Sequence, residues 1–127
     1  MKELQLIIKQ KFFDEILAGQ KPQEFREIRP TTSKKYIKYV CDGKEFSNPD
    51  DLPETGDVEV VPIHYDAIRF FVGYNKDRAS ALVEVKGANI EFFVDDDGND
   101  IVYEYKGEEY LAAQIVYDLG KVLEKNV

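Results

Sequence analysis

The chain opens on a close run of aliphatic residues, "LQLIIK" from Leu4 to Lys9, which predicts a buried first strand. The period then changes. In "KFFDEILAG" the apolar positions are Phe12, Phe13, Ile16 and Leu17, at i, i+1, i+4 and i+5, the spacing of one face of a short helix. Gly19 stands where a left-handed C-terminal cap belongs, and Pro22 bars the helix from continuing. "QKPQEFR" therefore leaves a helix and enters an extended segment. "KKYIKYVCDGKEF" places Asp42-Gly43 between alternating segments, a strong two-residue hairpin signal. "NPDDLPETGD" reads as a loop from its proline, glycine and acid content. Three extended runs complete the pattern: "VEVVPIH", "ALVEVKGANIEFFV" with a bulge or kink expected at Gly87, and "IVYEYKGEEYLAAQIVYDLGKVL". The segment "HYDAIRFFVGYNKD" fits a buried strand or a helical turn, and its pattern does not choose between them.

These elements predict a mainly β protein with short helices, of α+β class. Short strands separated by turns suggest a small β-barrel, because closing the sheet removes exposed strand edges. The 127 residues fit one domain, 1–127, able to bury a sizeable core, and no internal repeat divides them. With 43% hydrophobic residues spread evenly, the composition is that of a folded chain rather than a disordered one. No apolar run approaches the roughly 20 residues that cross a bilayer as a helix, and no secretory signal is visible at the N-terminus. The single Cys41 supports no internal disulfide. The expected setting is the cytoplasm, without a membrane partner.

Charge narrows the choice of partner. Lys and Arg number 17 against 25 Asp and Glu, for a net charge of -8, and such a field repels a long polyanion. Extended duplex DNA is therefore not an expected partner. A small basic site remains compatible with an acidic shell, since local charges outweigh screened distant ones. Most lysines fall within the first 44 residues, while "DDDGND" and "EYKGEE" concentrate acid in the C-terminal half.

The chemistry worth testing lies at Gly19 to Arg26, "GQKPQEFR". In an extended chain alternate residues share a side, so Glu24 and Arg26 should project together while Phe25 turns the other way, toward a core. Arg26 offers a fixed fork of donors for a phosphate or carbonyl edge, and Lys21 a mobile point charge. Glu24 can accept from the exocyclic amino group of cytosine. The plainer alternative is a neighbouring ion pair of Glu24 with Arg26 and a solvated Lys21.

The stretch reproduces the G-x-K-x-x-E-x-R signature of the ASCH family, which it resembles through Gly19, Lys21, Glu24 and Arg26. "FFDEILAG" is similar to the family's lead-in helix, and "HYDAIRFFVGY" and "VYDLGKVLE" also look like family sequence. The resemblance implies a PUA-like β-barrel with a cleft beside the signature, engaging RNA or a nucleoside or nucleotide. Some small members are amidohydrolases that deacylate N4-acetylcytidine with a lysine, a threonine and a glutamate. Lys21 falls on that lysine, but Glu24 stands where those enzymes carry the threonine, so the hydroxyl nucleophile is missing. The family's separate catalytic glutamate aligns with no particular residue here. Three functions follow in order: a base-binding module, an amidohydrolase using Lys21 and Glu24, and a protein-interaction domain. No cofactor is implied, and the oligomeric state is open.

Other residues carry less. Taking Gly98 as position six of a calcium loop puts Phe93 at position one, where an acidic ligand is required, so "DDDGND" reads as an acidic turn. His64 is the sole histidine, so it builds neither a histidine cluster for zinc nor a triad. Cys41, beside a turn, reads as a packing residue. Tyr65 and Tyr74 flank the ambiguous apolar segment and are candidates for stacking a base.

Overall fold

The computed structural model describes residues 1–127. The chain is mainly β with short helices. Its contacts divide it into two compact units, each discontinuous in sequence. The first comprises Met1–Glu24, His64–Ala88 and Tyr117–Val127, and the second Phe25–Ile63 and Asn89–Val116.

In the first unit, β1 (Glu3–Ile8) buries Leu4, Leu6 and Ile8, every second residue, so one face of the strand is core. β1 pairs in parallel with β6 (Ala67–Val72), from Glu3 opposite Ala67 to Ile8 opposite Val72. The segment left open by its pattern is thus a strand, with Ala67, Ile68 and Phe70 fully buried. Helix α1 (Gln10–Leu17) contacts β6 and buries Phe13 and Ile16. Phe12, expected on the same apolar face, is instead 39% exposed, because one residue along a helix turns by about 100°. β6 also pairs antiparallel with β7 (Ser80–Phe92), and Ala81, Leu82 and Val83 are buried there. Gly87 sits within β7 without interrupting it.

In the second unit, β3 (Ile37–Cys41) is flanked by β4 (Lys44–Phe46) and β5 (Val58–Pro62). Asp42 and Gly43, with φ of 50° and 82°, form the expected turn between β3 and β4, both residues in the left-handed region that a type I′ hairpin demands. Pro62 is tolerated because β5 is an edge strand. A short helix α2 (Ser33–Tyr36) precedes β3, where the alternation had predicted strand. The Arg29 carbonyl accepts from the N–H groups of Thr32 and Ser33, and this turn starts the helix.

The long C-terminal run also departs from expectation. It is three strands rather than one: β8 (Val102–Tyr105), β9 (Glu108–Leu111) and β10 (Ala113–Asn126). Lys106 and Gly107, with φ of 49° and 81°, form a second two-residue hairpin. Lysine in that conformation is uncommon, which hid the turn. The strand order β1-β6-β7-β10-β2, with β2 at Gln23–Ile28, ends at β1 and β2, so the sheets are not closed into a barrel.

Candidate functional site

The stretch that carries the candidate chemistry begins at the end of α1. The Gly19 N–H donates to the Ile16 carbonyl and the Gln20 N–H to the Glu15 carbonyl, at 3.1 and 2.8 Å. With Gly19 at φ +74°, this is a Schellman cap, and it satisfies carbonyls the helix would otherwise leave open. The Lys21 N–H also donates to Glu15. The chain then turns at Pro22, whose carbonyl accepts from the Leu119 N–H of β10 at 2.9 Å. The Gln23 side chain donates to Asp118 Oδ1 at 2.7 Å, and together these bonds fix the start of β2.

On this frame Lys21 Nζ donates to the Gln23 carbonyl at 2.7 Å and stands 4.0 Å from Glu24 Oε1. It also rides 5.8 Å from the centre of the Phe12 ring, which accounts for an aromatic residue on the helix surface. Glu24 is 5% exposed and is the charged residue that the fold buries. Burying a carboxylate is costly unless it is paired and hydrogen-bonded, so this placement is expensive structure.

Arg26 is half-buried and belongs to the second unit. Glu24, Arg26 and Ile28 alternate along β2 and are less exposed than Phe25 and Glu27 between them. Phe25 was expected to face a core and is 44% exposed instead. The buried side of β2 is the side that carries Glu24 and Arg26, so the ring is left outside.

The two tyrosines do not form one platform. Tyr65 precedes β6 and Tyr74 follows it, so a six-residue strand of roughly 20 Å separates them. Tyr65 is half-buried, with Lys2 Nζ 5.3 Å above its ring, and burial pushes its hydroxyl pKa up. Tyr74 is 84% exposed. His64 Nε2 contacts Asp66 Oδ1 at 3.1 Å, and Asp66 Oδ2 accepts from the Lys2 N–H. Those two bonds, the backbone one foremost, hold the Asp66 carboxyl below its ordinary value.

Cys41 is buried, as a packing residue would be, and burial followed by the charges of Asp42 and Asp57 pushes its thiol pKa up. In the acidic turn, Asp95 Oδ1 accepts from the N–H groups of Asp97 and Asn99, so that carboxylate holds its own loop.

The sequence reading missed a cavity of about 520 Å³ in the second unit, lined by none of Lys21, Glu24, Arg26, Tyr65 and Tyr74. One wall carries Tyr103 and Tyr110, directly opposite each other in the β8–β9 ladder. Their equal distance from the Lys106-Gly107 turn would have revealed the pair, had that turn been recognised.

Comparison with known protein families, with curated proteins and with solved structures gave no match.

Proposed function

We propose that this chain is an ASCH-type binding module for an RNA base, nucleoside or nucleotide, with Lys21 and Glu24 as the polar recognition pair and Arg26 as the third signature residue. The observation that carries the reading is the burial of Glu24 beside Lys21, at 5% exposure and 4.0 Å. A paired, buried carboxylate is a fixed acceptor, suited to the amino group of a cytosine-like base. The resemblance that supplies the ligand class also implies a PUA-like architecture, here built with sheets that are not closed into a barrel. A net charge of -8 favours one base or a short RNA over extended duplex DNA. The buried free thiol of Cys41 suits a reducing cytoplasm.

Binding is preferred to amidohydrolysis because Glu24 replaces the hydroxyl nucleophile, and a carboxylate held beside a lysine is poorly suited to covalent attack. Calorimetric titration with cytidine tests the reading. Saturable binding that Glu24→Gln weakens by about 1–3 kcal/mol supports it. Wild-type turnover of N4-acetylcytidine that Lys21→Ala abolishes would replace it with the hydrolase.

A further inference from the structure

The cavity of the second unit has the construction of a stacking slot. Tyr103 and Tyr110 have ring centres 5.8 Å apart and planes inclined by 24°, an offset stack in the favoured range. The Arg29 guanidinium covers Tyr103, 4.7 Å from its ring centre. The rest of the lining includes Tyr39 and Val60, cross-strand partners in β3 and β5. Ile28, Ile37 and Ala113 add buried aliphatic surface to the lining.

Volume and charge then select the occupant. About 520 Å³ falls within the range of small-molecule sites, roughly 300–1,000 Å³. The charged lining residues are Arg29 and Lys34 against Asp50 and Glu108, which balance. Two of these are engaged with other residues of the unit: Arg29 pairs with Glu27 at 2.6 Å, and Glu108 accepts the Tyr110 hydroxyl at 3.0 Å. An anionic ligand could reach Lys34, but would have to compete with Glu27 for Arg29 and meet Asp50 and Glu108. A cation would be repelled by the Arg29 guanidinium already over Tyr103. An uncharged ring meets neither electrostatic obstacle and can stack on Tyr110 or on that guanidinium. Ser33 and Asn48 are polar residues of the lining; Asn48 Oδ1 already accepts from the Asp50 N–H at 3.0 Å, which leaves the Asn48 amide N–H groups and the Ser33 hydroxyl as partners for the edge of such a ring.

The geometry points to a second binding site, in which the slot takes an uncharged planar heteroaromatic molecule of up to nucleoside size, stacked against the tyrosines. It shares no lining residue with the Lys21–Glu24 pair and does not depend on the function proposed for that pair.

Residue-resolved NMR of the intact chain, titrated with adenosine, uridine and AMP, tests the site. Saturable shifts of the Tyr39, Tyr103 and Tyr110 ring signals by a nucleoside are expected, with adenosine binding at least as tightly as AMP and with little dependence on salt. Tyr103→Leu should weaken adenosine by about tenfold, as loss of one stacking ring does. Tyr103→Phe should retain binding, and so should Lys21→Ala. Circular dichroism checks that the Tyr103→Leu chain is folded, and the Phe variant keeps the test valid if it is not. Absence of saturable ring shifts at millimolar nucleoside overturns the proposal. So does binding that requires a phosphate, or a folded Tyr103→Leu chain that binds as tightly as wild type. Shifts at Lys21 and Glu24 alone would overturn the slot and leave the other reading standing.

Discussion

Arg69 binds Glu3 through two parallel contacts, Nε to Oε2 at 3.0 Å and Nη2 to Oε1 at 3.1 Å, and the two residues' strands run side by side in the first unit. Nη2 also reaches Glu124 of β10 at 2.9 Å, so one guanidinium ties three strands. The hydrogen bond from Arg69 holds the Glu3 carboxyl below its ordinary value of 4.5. A folded-state pKa below the unfolded one adds stability above the unfolded value, and that stability disappears as pH falls through the folded value. The stability difference between wild type and Glu3→Gln, from urea titrations, should therefore be present at neutral pH and shrink as pH drops below about 4.5. A difference that stays level through the acid range would contradict the pairing.

Gly19 has φ +74°, and no atom lies within 4 Å of where a Cβ would be. Gly19→Ala is thus strained by backbone conformation and not by a clash, at a cost of about 1 kcal/mol. The urea midpoint should fall with an unchanged slope. An unaltered midpoint would show that the cap relaxes without loss.

Phe70 is fully buried in β6, among the largest side chains with no solvent contact. Phe70→Ala should destabilise the chain by about 3–5 kcal/mol, measured by the same titration. A loss below about 1 kcal/mol would mean that β6 is not a core strand.

Cys41 should react slowly with an aromatic disulfide reagent while the chain is folded, because burial and the acidic neighbours disfavour the thiolate. Unfolding in urea should restore the rate of a free cysteine. Equal rates in the two states would place the thiol at the surface.

The parts of the fold visible in advance were those in which local chemistry and period agree. Gly19 before Pro22 marked the helix end, and Asp42-Gly43 marked the first hairpin. The second hairpin was invisible because Lys106 adopts φ 49° against its preference, a conformation that its neighbours in the sequence do not announce. The β6 segment resisted because Ala67, Ile68, Phe70, Phe71 and Val72 form a nearly continuous apolar run, in which strand alternation and a helical turn cannot be told apart. In the site, neither the nearness of Lys21 to Glu24 nor the burial of Glu24 follows from an extended reading, in which residues three apart face opposite sides. The side of β2 that faces inward is a tertiary choice, and it reversed the expected placement of Phe25. The tyrosine slot depends on residues from β3, β8 and β9, whose meeting only the folded chain displays.

The claim that Lys21 and Glu24 recognise a base is tested most directly by following their own backbone amide signals as cytidine is added. Saturable shifts at both residues are expected, weakened by about 1–3 kcal/mol in Glu24→Gln. A folded wild-type chain in which neither signal moves at millimolar cytidine, or in which Glu24→Gln leaves the titration unchanged, contradicts it.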